Sequence, residues 1–407
     1  MRSLYALQQA LRAIARVVSI AVIWLLKPVK LFAWRCRFRW LRRIILEITT
    51  AIDWTLVLAN VQNETMLLHL RIYRGNFIFG QALMVVGHAR AKIEIEQPSL
   101  RGNRFMGVDL VSNDPMAFLT NAGALTSAPP TRDLIRGYID EKIMTTRVRS
   151  LDLASLTAEC QGILNEWASD TDMSSMWKIR GAATRIFIQV LAGVDLPAPQ
   201  ADAVTFSYVR RFAELSLFAR YFTFMLAILG TRQGIRRDAY FPLRRLGVDN
   251  VAIDMTLFAA MFSVGTIVMK SAGFAKDNGV DYRALSMRER MAFVVEAVRL
   301  CPTVTSVHRI LEEPEMMVVA GISVRAEAGD EFAYPFVCIN RDPAVFSQPE
   351  TFNLNRPMSE VASVLSWSSG KHICPAKDLS VLVTTMMLDA LSERFDFRTL
   401  TICNLEF

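Results

Sequence analysis

The sequence lacks the long apolar runs that a membrane protein with several spans requires. Its mean hydropathy is +0.27 and 52% of its 407 residues are hydrophobic, yet no stretch reaches the roughly 18 consecutive apolar residues of a spanning helix. Charged residues make up only 21% of the chain. The lack of such a run argues against a multi-span membrane protein. The composition excludes intrinsic disorder, because a chain so rich in apolar side chains can bury them in a core.

Patterns typical of zinc sites and disulfide frameworks are absent as well. The cysteines lie far apart without a Cys-x-x-Cys pair, and the histidines are too scattered for a zinc site. They occur at Cys36, Cys160, Cys301, Cys338, Cys374 and Cys403, and at His69, His88, His308 and His372. A chain of this length does not need a disulfide framework, so we expect a reducing compartment.

Phosphate-cradling and hydrolase motifs are also missing. The sequence contains no Gly-x-x-x-x-Gly-Lys-[Ser/Thr], no Gly-x-Gly-x-x-Gly, no Gly-x-Ser-x-Gly and no His-Glu-x-x-His. Phosphoryl transfer from nucleotides, nucleotide-dependent hydride transfer and serine-hydrolase chemistry are therefore left without a supporting motif.

Acidic residues are missing from the first 46 positions, where ten basic residues occur between Met1 and Arg43. The rest of the chain has more acidic than basic residues, so this segment accounts for the net charge of +7, and nucleic acid is a poor candidate partner. The apolar run Val17–Leu26 is about 15 Å long as a helix, roughly half of a ~30 Å hydrocarbon core.

Three interpretations of this segment stay open. We favour a helix that lies in the headgroup region of an anionic, cytoplasmic membrane face. The alternatives are a tilted span from about Ala13 to Trp34 with Arg16, Lys27 and Lys30 snorkelling, and a leader that packs on its own domain. We expect residues 1–46 to bind the membrane surface, residues 1–60 to form the leader, and residues 61–407 to form one domain.

The hydrophobic periodicity predicts a mainly α fold with a small β-sheet region. Short strands are expected at Leu68–Tyr73 and Phe77–Val86, and again between Pro314 and Pro357. Helical periodicity dominates from Arg132 to Ile310 and includes a long helix at Asp254–Ala272, and a last helix is expected from Lys377 to Glu393. The aromatic-rich stretch Phe206–Leu229 is either core packing or a lid over an apolar pocket.

Three segments that occur in a fixed order could carry chemistry. In Glu296-Ala-Val-Arg299-Leu300, helical spacing places a carboxylate and a guanidinium on one face. Asn340-Arg-Asp-Pro343 begins an irregular stretch that ends at Arg356-Pro357, and Arg356 could complete a charged cluster. In Trp367-Ser-Ser-Gly370-Lys-His372-Ile-Cys374, the cysteine precedes a helix whose amide groups and dipole favour a thiolate.

Together these segments resemble the cytochrome P-450 superfamily, with its E-x-x-R-L helix, its N-R-D-P…R-P stretch and its cysteine loop. The resemblance implies heme b with Cys374 as the axial thiolate of the iron, and a buried structural triad of Glu296, Arg299 and Arg356. The residues expected at the heme propionates and beside the ring, also by resemblance, are His372, Arg309, Arg132, Arg136, Trp367 and Gly370.

The sequence departs from the family on the long helix, where the oxygen-activating pattern ends in an acid followed by threonine. The best match is Phe262-Ser-Val-Gly265-Thr266, so Thr266 keeps the hydroxyl while Gly265 stands at the acid position. An enzyme that receives a ready-made peroxide needs less proton delivery there than one that cleaves dioxygen. We therefore assign candidate catalytic positions to Thr266 and Gly265, and we expect that Gly265→Asp shifts the enzyme toward oxygen use.

The residues around Cys374, notably Lys377-Asp378, locally resemble the allene oxide synthase and hydroperoxide lyase branch, although that branch's Asn-x-x-Gly-Gly pattern and its insertion before the cysteine are absent. The favoured function is peroxide chemistry, by rearrangement or peroxygenation, on a lipophilic substrate in lipid metabolism. One alternative is monooxygenation that depends on dioxygen and a reductase partner. The other is a heme-binding protein without turnover.

Overall fold

The structure, a computed structural model, describes the backbone of residues 2–60, 62–96, 104–105, 108–109, 131–150, 153–221 and 233–400. The side chains at 2–9, 54, 58–60, 104–105, 108–109, 131–132, 153, 211–221, 258–260 and 262 lie outside the described part. The side chain of Arg132 and most of the aromatic stretch Phe206–Leu229 therefore fall outside it.

The described chain is mainly helical with small sheets, as the periodicity predicted. The α-helices are α1 (Arg2–Arg35), α2 (Arg39–Asn60), α3 (Gln62–Tyr73), α4 (His88–Glu96), α5 (Thr131–Tyr138), α6 (Leu153–Ser169), α7 (Met176–Ala192), α8 (Ala198–Tyr221), α9 (Phe241–Arg245), α10 (Asn250–Asp254), α11 (Met261–Asp277), α12 (Met287–Leu300), α13 (Phe336–Ile339), α14 (Met358–Ala362) and α15 (Lys377–Arg394). Segments of π-helix cover Ile139–Val148, Arg236–Tyr240 and Met255–Ala260, and 3₁₀ turns cover Tyr282–Ala284, Leu365–Trp367 and Gly370–His372. The strands are β1 (Phe77–Phe79), β2 (Ala82–Met84), β3 (Arg104–Phe105), β4 (Val108–Asp109), β5 (Ser306–Ile310), β6 (Glu315–Val319), β7 (Ile322–Ala326) and β8 (Glu331–Pro335).

The chain divides into two compact units. The first unit comprises Met1–Gly102 and Val304–Pro349, and the second comprises Asn103–Thr303 and Glu350–Phe407. The first unit contains a four-stranded sheet in the order β1-β2-β8-β5, in which β2 and β8 are parallel and the other pairs antiparallel. A separate hairpin pairs β6 with β7 across a tight turn in which Ala320 and Gly321 both have positive φ, the conformation that two-residue hairpin turns require.

The predicted strand at Leu68–Tyr73 is wrong, because these residues form the end of α3. The buried positions of α3 include Thr65, Met66, His69 and Ile72, a spacing of three and four residues that buries one helical face. The β-rich prediction for Phe77–Val86 is confirmed by strands β1 and β2.

A fully buried charge cluster joins α1, α2, α3 and the sheet of the first unit. The Lys30 Nζ lies 2.5 and 2.6 Å from the two carboxylate oxygens of Asp53 and donates to the Ile78 carbonyl. The Gly80 amide donates to Asp53 over 2.6 Å, and the His69 Nε2 lies 3.5 Å from the same carboxylate. Burial lowers the pKa of Lys30, whereas Lys30 and His69 together hold the pKa of Asp53 below its ordinary value.

This cluster does not fit the alternative of a tilted span in which Lys30 snorkels toward a membrane surface. Lys30 is 1% exposed because Asp53 compensates its charge inside the unit, and Lys27 donates to the Ile72 carbonyl over 3.1 Å. Further along, the guanidinium of Arg42 stacks on Trp34 and forms an ion pair of 2.7 Å with Asp330. The segment from Lys30 to Arg42 is therefore part of the folded unit.

The second unit is a helical bundle in which α7 packs on α6, α8 and α11, and α11 also packs on α12 and α15. The long helix predicted at Asp254–Ala272 is present and longer, since α10, the π segment Met255–Ala260 and α11 follow one another from Asn250 to Asp277. Its start is capped by Asp249, whose carboxylate accepts from the Val251 amide. The helix α12 begins with a capping box between Ser286 and Glu289.

We predict that Lys30→Met lowers the free energy of unfolding by about 3–5 kcal/mol, because it leaves the buried Asp53 carboxylate without its cation. Arg16→Met is the control: Arg16 pairs with Glu64 at 3.5 Å, but both side chains are almost half exposed, and such pairs contribute about 1 kcal/mol or less. Denaturant titrations followed by circular dichroism measure both values. Equal losses in the two variants would contradict the structural role of Lys30.

Candidate active site

Four buried charged side chains form a closed cluster between α12 and the segment that leads to the cysteine loop. The Arg299 guanidinium donates to both oxygens of Glu296 over 2.8 and 2.9 Å, and the Arg356 Nε lies 2.9 Å from both. Arg356 also donates over 2.6 Å to Glu360. All four are less than 9% exposed, and two carboxylates balance two guanidiniums, as burial of charge requires.

The sequence analysis predicted that three members of this cluster are in contact, but it did not include Glu360. The available signal was the charge pattern, since Glu360 is the first acidic residue after Arg356 and lies in the first turn of the helix that begins at Met358. The side chains of the cluster also form hydrogen bonds with the backbone of the irregular segment before Arg356. Both arginines donate to the Thr351 carbonyl, and the Asn353 amide donates to Glu296 over 3.0 Å. The irregular chain between residues 351 and 356 is thereby fixed to α12.

The cysteine loop is a compact turn closed by its own backbone. The Cys374 amide donates to the Trp367 carbonyl over 2.8 Å, and the Ser366 hydroxyl donates to the Val298 carbonyl of α12 over 3.0 Å. Ser368 and Gly370 adopt positive φ values of 67° and 57°, which glycine tolerates and serine adopts only at a cost. His372 is buried, and the helix α15 begins three residues after Cys374.

Burial raises the pKa of the Cys374 thiol above its ordinary value, and the nearby Asp378 raises it further. The Ala376 amide, Arg136 and Lys377 act in the opposite direction but do not outweigh burial. The expectation that the helix start by itself favours a thiolate is thus corrected. A metal ion bound by Cys374 would supply the missing positive charge, because a coordinated metal ion favours the deprotonated thiol.

The surroundings of Cys374 fit a thiolate-ligated heme. Cys374 is partly exposed, its sulfur lies close to the backbone amide of Ala376 just before the following helix, and positive side chains lie near it. Arg136 reaches the loop directly, because its Nη1 donates to the Ile373 carbonyl over 2.5 Å while its Nε pairs with Asp140. A cationic rim beside the ligand is what anionic propionate groups require.

Trp367 and Arg309, two further residues predicted to bind the cofactor, make the following contacts. The Trp367 indole donates to the Ser380 hydroxyl over 3.2 Å, and the Lys377 Nζ lies 5.5 Å from the centre of its ring. Arg309 belongs to the first unit, where it pairs with Glu94 at 2.9 Å and contacts the Tyr334 hydroxyl. Its guanidinium is therefore already held by a carboxylate, and its role at a propionate stays a prediction.

Gly265 faces a neighbouring helix with no space for a side chain. A Cβ at this position would lie 2.6 Å from the Cγ and 3.3 Å from the Cα of Arg180 on α7. The next residue, Thr266, accepts a hydrogen bond of 3.3 Å from the Arg180 Nη2. An aspartate at position 265 would collide with Arg180, so the expectation that Gly265→Asp by itself promotes oxygen use does not fit the packing. Sequence reasoning did not find Arg180.

Comparison with known proteins shows the fold and a family match over the C-terminal part of the chain. Residues 283–402 match the family model "Cytochrome P450". A six-coordinated cytochrome P450 from Thermus thermophilus aligns with a TM-score of 0.57 at 16% identity, over 77% of this chain and 84% of that one. P450BioI, solved with an acyl carrier protein that bears hexadec-9Z-enoic acid, aligns with a TM-score of 0.54 at 12% identity, over 77% and 85%.

Among curated proteins, the chain is 29% identical over 108 residues to a bifunctional dioxygenase–epoxy alcohol synthase of Pyricularia oryzae. This match covers 26% of the chain and only 9% of that much longer protein. Residues 283–402 thus match the cytochrome P450 family model, and the described chain has the fold of cytochrome P450 structures. Proteins of that family hold heme iron through an axial cysteine.

We predict that Cys374→Ala abolishes the red-shifted Soret band that a thiolate-ligated heme shows after reduction and addition of carbon monoxide, because the thiolate is the electron-rich axial ligand. Cys338→Ala is the control, since that thiol is buried in the first unit beside the Met66 carbonyl and should leave the band unchanged. An unchanged spectrum in Cys374→Ala would falsify the ligand assignment.

For the charge cluster, Glu296→Ala should yield little or no soluble, heme-loaded protein, because it leaves two buried guanidiniums without their shared carboxylate at a cost of about 3–5 kcal/mol. Glu289→Ala on the same helix removes only an exposed capping contact and should cost about 1 kcal/mol. Heme absorbance relative to protein absorbance and the yield of soluble protein measure both effects. Full heme occupancy in Glu296→Ala would disprove the structural role.

Proposed function

We propose that the protein is a heme-thiolate enzyme that converts a lipophilic hydroperoxide, by rearrangement or peroxygenation, without an electron-donating partner. The observation that carries this proposal is the packing of Gly265 against Arg180. The position where oxygen-activating relatives hold a proton-delivering acid has no room for a side chain here, and the charged group packed against it is a cation. A substrate that already contains the O–O bond does not need the proton transfers that dioxygen cleavage requires.

The fungal relative supports the same chemistry, because its name includes epoxy alcohol synthase. An epoxy alcohol is an isomer of an unsaturated hydroperoxide, so its formation needs neither reductant nor further oxygen. The P450BioI structure, which was solved in complex with an acyl carrier protein that bears hexadec-9Z-enoic acid, supports a long apolar substrate. We propose an unsaturated fatty-acyl hydroperoxide as the substrate class.

In this proposal heme, when bound, supplies the cleavage of the O–O bond, and the side chains of the protein hold the cofactor and the substrate. Cys374 ligates the iron, and the cluster around Glu296 fixes the segment that positions the cysteine loop. Arg136, which already contacts the loop, holds a propionate. The Thr266 hydroxyl donates a hydrogen bond to an oxygen of the substrate.

We predict that the purified enzyme consumes an unsaturated fatty-acid hydroperoxide in the absence of NADPH and reductase, and that it releases an isomeric epoxy alcohol or a related oxygenated product. Loss of the conjugated-diene absorbance and mass spectrometry of the product measure the reaction. Heme-free protein and Cys374→Ala are the controls. Efficient coupling of NADPH to product formation, with no reaction on hydroperoxides, would instead establish the alternative monooxygenase, for which the retained Thr266 hydroxyl is the supporting observation.

We also propose that the protein binds the cytoplasmic face of a membrane through α1 and α2. Both helices expose large apolar side chains, including Leu25 (73%), Phe32 (59%) and Trp40 (65%). Exposed basic side chains lie among them, and no acidic residue precedes Glu47. The segment Ala10–Arg35 is long and apolar enough to span a membrane, with a third of its most apolar window buried inside the chain. Because Lys30 is anchored to Asp53, we favour binding along the membrane surface.

We predict that the double variant Leu25→Glu/Phe32→Glu binds vesicles containing anionic lipids at least about tenfold more weakly than the wild type. Each change removes apolar side-chain area that would be buried in the membrane, and each adds a negative charge that the anionic lipids repel. The matched control is Met316→Glu/Val318→Glu, which alters two exposed apolar residues of β6 and should leave binding unchanged. Vesicle co-sedimentation measures both. Equal binding by all three proteins would argue against this surface.

A further inference from the structure

The buried arginine on α7 touches the one hydroxyl that the proposed chemistry uses. The guanidinium of Arg180 donates to the Thr266 Oγ1 over 3.3 Å, and its aliphatic stem fills the space beside Gly265. Arg180 is 3% exposed, and burial lowers its pKa to about 10. The side chain therefore still carries its positive charge at neutral pH.

The residues of α11 differ in their exposure to solvent. Ser263 and Thr266 are partly exposed, whereas Val264, Gly265 and Ile267 are buried. The two partly exposed residues are three positions apart and so share one helical face. Thr266 is thus partly exposed, whereas Arg180, which donates to its hydroxyl, is buried.

The donor chemistry of the two groups decides the direction of the hydrogen bond. A guanidinium has only N–H donors, so the oxygen of the Thr266 hydroxyl must accept from it. The hydroxyl proton of Thr266 consequently points away from Arg180 and can be donated to a ligand. A cation at the oxygen also polarises the O–H bond and makes the hydroxyl a stronger donor.

We propose that Arg180 is a positioning residue that turns Thr266 into a dedicated hydrogen-bond donor toward the substrate peroxide, in place of the carboxylate that Gly265 excludes. This inference rests on the proposed function for the identity of the ligand. The contact between Arg180 and Thr266 does not depend on it. The residue acts only through Thr266 and does not touch the substrate.

The test compares Arg180→Met, Arg180→Lys, Thr266→Val and the double variant Arg180→Met/Thr266→Val. Methionine keeps an unbranched stem beside Gly265 and removes the charge, whereas lysine keeps the charge. We expect kcat for the hydroperoxide to fall about tenfold or more in Arg180→Met and Thr266→Val, with little change in KM. Arg180→Lys should restore part of the loss, and the double variant should be no slower than Thr266→Val alone.

A second readout does not depend on turnover. The infrared C–O stretch of the reduced carbon monoxide complex responds to a hydrogen-bond donor near the bound ligand. Arg180→Met and Thr266→Val should shift this band in the same direction, and the double variant should match Thr266→Val. If the wild type ignores hydroperoxides but the band behaves in this way, the proposed function fails while the role of Arg180 stands.

The matched control is Arg185→Met on the same helix. Arg185 is also buried, but it pairs with Glu166 and donates to the Leu196 carbonyl, so it should change thermal stability without moving the C–O stretch. Multiplicative losses in the double variant, or a C–O stretch unchanged in Arg180→Met, would overturn the proposal. A loss confined to free fatty-acid hydroperoxides and absent with their methyl esters would also overturn it, because Arg180 would then bind the substrate carboxylate.

Discussion

The compensation of buried charge around Glu296 is the constraint on which the rest of the site depends. Glu296 accepts from two guanidiniums and one backbone amide, and Glu360 balances the second guanidinium. These bonds fix the irregular chain at residues 351–356 to α12, and the Ser366 contact fixes the start of the cysteine loop to the same helix. The side chains of this cluster therefore have a structural role, because removal of any one of them leaves an uncompensated buried charge.

Burial affects the charge of Cys374 and of Arg180 in different ways. At Cys374, burial opposes the charged form of the thiol, and the iron of a bound heme would supply the charge that stabilises the thiolate. At Arg180, the burial is also extensive, but arginine keeps its proton because its ordinary pKa is so high. The first group is therefore a ligand that depends on its cofactor, and the second is a permanent cation that can orient a neighbouring hydroxyl.

In the first unit, a buried ion pair packs one face of α1 against its neighbours while another face stays exposed. The pair of Lys30 and Asp53 holds α1 against α2 and the sheet, because a buried lysine can keep its charge only beside a carboxylate. The remaining face of α1 keeps its apolar side chains exposed. An anchored face and an exposed apolar face on the same helix suit a surface-bound arrangement.

The sequence by itself determined the mainly α fold class, the long helix and the resemblance to the cytochrome P450 family, because hydrophobic period and motif spacing are local properties of the chain. It also predicted that Glu296, Arg299 and Arg356 meet. It could not show that α3 is helical through Tyr73, since a short apolar run fits a strand as well as a buried helix turn. Only the tertiary structure decided that Glu360 completes the charge cluster, that Asp53 holds Lys30, and that Arg180 fills the space beside Gly265. Each of these contacts joins residues whose partnership depends on how separate elements pack, and packing is not encoded in any local pattern.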